Sequence, residues 1–135
     1  MAMSMTLKIR DETTLSIGGD ESGFLLEVPE ERITVQDLIR ARVYREVHEY
    51  NLDQPEYFHG LIQPSDAERS LNGFKMRRRR RIDPDKQFEL AKRAFYTNGF
   101  ILLVDDRQVD ELDEEIEIRP DTTVTFLKLV PLLGG

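Results

Sequence analysis

The chain has 135 residues, 39% of them hydrophobic and 33% charged, with a formal net charge of −7. That length and balance fit one water-facing domain with a modest core. It holds no cysteine, which excludes disulfide staples, thiolate zinc sites and any reaction through a sulfur nucleophile of its own.

The longest apolar runs, FILLV and LVPLL, fall far short of the roughly 20 residues a helix needs to cross a bilayer. The opening MAMSMTLKIRDE lacks the cationic start and apolar stretch of a secretory leader. A cytoplasmic location is therefore expected.

TLKIRDE alternates apolar and polar at Leu7 and Ile9, the period of a half-buried strand. Residues 16–23, SIGGDESG, read as a loop, and FLLEVPEE as a second strand closed by Pro29, so the two make a hairpin. The period then changes. Val35, Leu38, Ile39, Val43 and Val47 line one face of a helix running from Val35 to about Tyr50, with Thr34 as its cap and Asp37 three places on to answer it. Residues 51–82 carry prolines and glycines without sustained period and predict an irregular excursion with a short helix over 65–71.

A second helix follows. Asp83 caps it, Pro84 takes its first position, Phe88, Ala91 and Phe95 share a face, and Asn98-Gly99 is the exit. FILLV is then a strand, Asp105 and Asp106 a turn, and Gln108-Val109 the short returning arm. DELDEEIEIRPDT predicts a loop with at most one helical turn. TVTFLKLV is the final strand, with Val124 and Phe126 facing one way and Leu127 and Leu129 the other. That second apolar face either stays open for a partner or is covered by the helix over 84–98. The need of Phe88, Leu90 and Phe95 for burial favours partial coverage.

This order predicts an α+β fold of β-grasp type: a mixed sheet packed on a helix, with an insertion of roughly 45 residues and an extra helix between the main helix and the third strand. The expected organisation is a single domain over 1–135, with 51–98 as the insertion and 130–135 as a flexible tail.

The charged and titratable residues fall into four groups. Lys75, Arg77, Arg78, Arg79, Arg80 and Arg81 place six positive charges in seven positions. They either form a solvated loop, held against the acidic stretch 105–117, or bind an acidic protein partner. Nucleic acid fits less well, because no aromatic residues alternate with them as a stacking platform. The acidic stretch lacks the glycine and spacing of a calcium loop and reads as a solvated face. His48 and His59 do not have metalloprotease spacing, so no metal is expected. Lysines number five against fourteen arginines, so Lys8, Lys75, Lys86, Lys92 and Lys128 are the only side-chain amines.

The chain reads out through LKLVPLLGG. Glycine has no Cβ, so Gly134 and Gly135 can thread a narrow channel where backbone must approach backbone. Pro131 lacks an N–H and would release the tail from the sheet. Leu132 and Leu133 ask for an apolar groove.

The last third, FILLVDDRQVDELDEEIEIRPDTTVTFLKLVPLLGG, resembles ubiquitin step by step, and residues 5–50 match its opening hairpin and helix by pattern. Sulfur carriers of molybdopterin and thiamine synthesis share that fold and tail, and the chain looks closer to bacterial ubiquitin-like modifiers than to ubiquitin itself. The resemblance implies that the Gly135 carboxylate is adenylated by an activating enzyme using ATP, with Gly134 giving clearance and Val130, Pro131, Leu132 and Leu133 contacting that enzyme. It further implies a conjugating enzyme, isopeptide attachment to target proteins, a zinc metalloprotease that removes the modifier, and a role in antiviral defence. The chain would then be a substrate and not an enzyme, with no catalytic residue and no cofactor of its own. A sulfur carrier with a thiocarboxylate at Gly135, or a noncovalent adaptor, are the alternatives.

Overall fold

A computed structural model of the chain describes residues 5–13 and 22–129. In chain order the elements are β1 (Met5–Thr13), β2 (Ser22–Val28), β3 (Arg32–Thr34), α1 (Val35–Asp53), β4 (Tyr57–Phe58), β5 (Ala67–Ser70), β6 (Gly73–Met76), α2 (Pro84–Tyr96), β7 (Phe100–Val104), β8 (Arg107–Val109), β9 (Glu115–Glu117) and β10 (Thr123–Lys128). The chain divides into two compact units, one of residues 1–38 with 94–135 and one of residues 39–93. The described residues form an α+β protein with a mixed sheet and two helices.

The first unit is built on a five-stranded sheet in the order β2-β1-β10-β7-β8. β1 and β10 lie parallel at its centre, from Lys8 opposite Thr123 to Thr13 opposite Lys128. β2 and β7 flank them antiparallel. Alternation along each strand sends one set of side chains to a core face. Leu7, Ile9, Leu26, Val28, Leu102, Val124 and Phe126 are all buried there. Phe100 and Phe126 meet with ring centroids 5.7 Å apart. The expected turn between β7 and β8 is present: Asp105 and Asp106 hold φ of 48° and 69°, a left-handed pair that Asp tolerates better than branched residues do. The Asp105 carboxylate accepts the Thr123 N–H at 3.0 Å, tying the turn to β10.

The capping box expected at Thr34 forms. The Asp37 N–H donates to Thr34 Oγ1 at 3.1 Å, and the Thr34 N–H reaches Asp37 Oδ2 at 3.4 Å. The next two N–H groups are also satisfied, Val35 by the Glu114 carbonyl and Gln36 by the Leu112 carbonyl, both at 2.9 Å. All four orphan donors of a helix start need such partners.

The partner segment departs from expectation. The stretch predicted as an acidic loop contains β9, paired antiparallel with β3 so that Ile33 faces Ile116. Both are buried, as is Ile118. Period-two burial of these isoleucines outweighs the unfavourable β-propensity of the glutamates between them.

In the second unit α1 continues with Ile39, Val43, Val47 and Tyr50 buried. The short helix expected over 65–71 is instead one arm of a hairpin. β5 pairs with β6, and β4 adds on the other side of β6. The reason is local: Asp66 sits at φ 64° and Gly73 at φ 118°, conformations that end a helix. A Cβ on Gly73 would also stand 2.9 Å from the His59 ring. Ala67, Met76 and Phe58 supply the apolar contacts of this small sheet.

α2 starts as read, at Pro84. The Asp85 N–H donates to Asp83 Oδ1 at 2.9 Å, and the Tyr44 hydroxyl donates to the Asp85 carboxylate. Asp83→Ala should therefore lower stability by about 1 kcal/mol, measured as a shift in the urea midpoint with unchanged slope. The exit is also as read: Asn98 has φ 59°, and the Gly99 N–H donates to the Ala94 carbonyl at 2.7 Å.

Candidate functional site

The residues singled out in the sequence fall in two places. Val130, Pro131, Leu132, Leu133, Gly134 and Gly135 lie outside the described residues, as does most of the glycine-rich loop after β1. What is described is the strand that leads to them. β10 is central in its sheet, bonded to β1 on one side and β7 on the other. Beyond the paired strand, the Leu129 N–H donates to the Gly99 carbonyl at 3.3 Å, so the backbone is fixed to within one residue of Val130.

Around β10 the outward face of the sheet is apolar in its middle. Register places Leu127 opposite Ile101, and Thr125 opposite Leu103. Leu127, Ile101 and Leu103 are half-buried, while Leu25 of β2 is 60% exposed. Lys8, Arg10 and Glu12 of β1 belong to the same face.

The expectation that the second helix covers this face is not what Phe95 does. Its ring lies 5.9 Å from Phe100, on the opposite face with Phe126. Leu25, Ile101 and Leu103 are not singled out by the sequence, where nothing separates outward from inward residues in an apolar run such as FILLV. Burial in fact alternates along it, and the only signal was the period of two that any strand imposes.

The second place is the basic run, which follows β6 in the unit of residues 39–93. Lys75 pairs with Glu56 at 3.7 Å and Arg77 with Glu68 at 3.6 Å, all four exposed. Arg80 is half-buried and donates to the Ser65 carbonyl at 2.6 Å. Arg78, Arg79 and Arg81 are exposed and make no ion pair among the described residues.

The backbone of the run is pinned at both ends. The Arg77 N–H donates to the Asp66 carbonyl at 3.2 Å. At the other end, Ile82 exchanges two bonds with the Asn51 side chain, at 2.9 and 3.0 Å. Arg81 borders a cleft of about 420 Å³ with Tyr44, His48, Asn51 and Asp83.

The two charge runs each find ion-pair partners in their own unit. Arg107 binds Glu114 at 2.7 Å and Arg119 binds Glu117 at 3.3 Å. His48 and His59 are both exposed. Among the described residues no three His, Asp or Glu side chains are grouped as a metal ion would need. No described helix is long and apolar enough to cross a membrane.

No protein-family model matches the chain, and comparison with curated proteins and with solved structures gives no match.

Proposed function

We propose that this chain is a ubiquitin-like modifier, coupled through the Gly135 carboxylate to amines of target proteins. The reading takes the first unit as a β-grasp and residues of the second as its insertion. It is supported by the N-terminal hairpin, the helix that follows it, and the parallel pairing of first and last strands at the centre of a mixed sheet. The observation that carries it is the position of β10: the central strand is bonded on both sides, and in the sequence Leu129 and then VPLLGG follow it.

A carboxylate that must reach the phosphates of ATP inside an enzyme needs a side-chain-free lead and a rigid base, because the entropy of ordering a long tail opposes binding. Six extended residues from Val130 would span about 20 Å. In the activating enzyme the Gly135 carboxylate would attack the α-phosphorus of ATP and expel pyrophosphate. An enzyme thiol would then displace AMP from the acyl adenylate to form a thioester, and a target lysine amine would displace that thiol to leave an isopeptide bond. ATP and the thiols belong to the enzymes; this chain contributes the carboxylate, and no side chain of its own reacts. The apolar Leu132 and Leu133 suit an apolar channel, so ubiquitin's own activating enzyme should accept the chain poorly. The same reading brings a conjugating enzyme, a zinc metalloprotease for removal and a bacterial defence setting as proposed partners and context.

The test is intact-mass measurement after incubation with ATP, an activating-type enzyme from the same genome and candidate targets. Amide-linked adducts that vanish when Gly134 and Gly135 are deleted support the modifier. Exchange of one oxygen for sulfur assigns a sulfur carrier instead, and an unchanged mass assigns a noncovalent adaptor.

A further inference from the structure

The chain carries two complementary sets of exposed, unpaired charges. Arg78, Arg79 and Arg81 lie within four consecutive positions. Asp110, Glu111 and Asp113 do likewise, and Asp106 stands close by in sequence. None of these side chains has an ion-pair partner among the described residues, although Arg77, Arg107 and Arg119 beside them do.

Both sets sit on fixed backbone. The basic run is held at Arg77, Arg80 and Ile82 by the bonds to Asp66, Ser65 and Asn51. The acidic turn is closed by the Glu114 N–H on the Glu111 carbonyl at 3.3 Å. Its Leu112 and Glu114 carbonyls are engaged by the first N–H groups of α1, and Leu112 is buried.

We propose that the basic run of one copy docks on the acidic turn of a second copy, head to tail. Guanidinium and carboxylate match in bidentate geometry, and all three unpaired cations are arginine, the side chain with that planar fork. A single exposed pair contributes little. Three presented together on preformed backbone lose less freedom on contact than three mobile chains would, and they act as a network. The net charge of −7 disfavours a polyanion elsewhere on the surface but does not oppose this local match.

The two surfaces differ, so the contact is heterologous. Each added copy leaves one basic and one acidic surface open, and assemblies lengthen with concentration unless a ring closes.

Sedimentation velocity of the full chain tests this across concentration, at about 0.01 M and about 1 M salt, where the screening length falls from about 30 Å to about 3 Å. The weight-average mass is expected to rise with concentration at low salt and to stay at the monomer value at high salt. The double variants Arg78→Ala/Arg79→Ala and Asp110→Ala/Glu111→Ala should each remain monomeric alone, with unchanged circular dichroism. Mixed in equal amounts at low salt they should form a pair of twice the monomer mass, because the first keeps its acidic turn and the second its basic run. A wild-type chain that is monomeric at every concentration overturns the proposal, as does a mixture that fails to pair. A monomer that instead shifts on a single-stranded oligonucleotide, and loses the shift in the arginine variant, assigns the run to nucleic acid and overturns it equally.

Discussion

Replacing Glu46 with alanine is expected to lower the unfolding free energy by about 3–5 kcal/mol, the cost of breaking a buried ion pair from one side. Arg42 is 2% exposed, in the middle of α1, and its Nε lies 3.1 Å from Glu46 Oε2 one turn on. The other oxygen, Oε1, accepts the Leu61 N–H at 3.1 Å. Glu46 therefore serves at least these two groups: it neutralises a buried guanidinium, and it secures the loop after β4.

The loop can come that close only because residue 60 is glycine. A Cβ there would stand 2.2 and 2.4 Å from the Phe58 ring and 3.2 Å from Glu46 Oε1. Glu46→Gln should cost less than Glu46→Ala, since its amide oxygen can still take the Leu61 N–H while the charge is lost. Adding Arg42→Met to Glu46→Ala should recover much of the loss, because the double variant no longer holds a charge in an apolar setting. Guanidinium chloride unfolding of the wild type, Glu46→Ala, Arg42→Met and the double variant measures the cycle. A double variant as unstable as the sum of the two singles would show that the pair contributes no coupling.

Local rules were readable wherever the deciding atoms are neighbours in sequence. Thr34 with Asp37, Asp83 with Pro84, Asn98 with Gly99 and the Asp105-Asp106 turn are each settled within four residues, and each forms as read. The two misread segments differ in cause, the first distant and the second local. β9 exists because β3, more than eighty residues earlier, offers Ile33 to Ile116. β5 exists because Asp66 and Gly73 take left-handed φ values and β6 supplies the ladder.

The buried Arg42 was unreadable too, since an arginine on the rim of an apolar helix face is ordinarily solvated. For the candidate site, the glycines could be singled out by residue type alone. The outward patch of Leu25, Ile101 and Leu127 needed the register of β2, β1, β10 and β7 to bring it together.

Phe126→Ala tests whether β10 is the rigid base that the proposed function requires. The ring is wholly buried, touches Phe100 at a centroid distance of 5.7 Å, and sits on the central strand opposite Asp11 of β1 and Leu102 of β7. Truncation should cost about 3–5 kcal/mol through lost transfer energy and the cavity left behind. Against a typical total of about 5–15 kcal/mol, that brings the chain close to its unfolding threshold. Phe126→Leu keeps most of the volume and should cost less, about 1–2 kcal/mol.

The functional consequence separates fold from chemistry. Adduct formation by the Phe126 variants should fall in step with the folded fraction, and return when the temperature is lowered toward maximum stability. Deletion of Gly134 and Gly135 should leave the unfolding midpoint unchanged and abolish adducts at every temperature. If Phe126→Ala lost stability yet formed adducts at the wild-type rate while largely unfolded, a folded base for the tail would be unnecessary, and the position of β10 would no longer support the reading built on it.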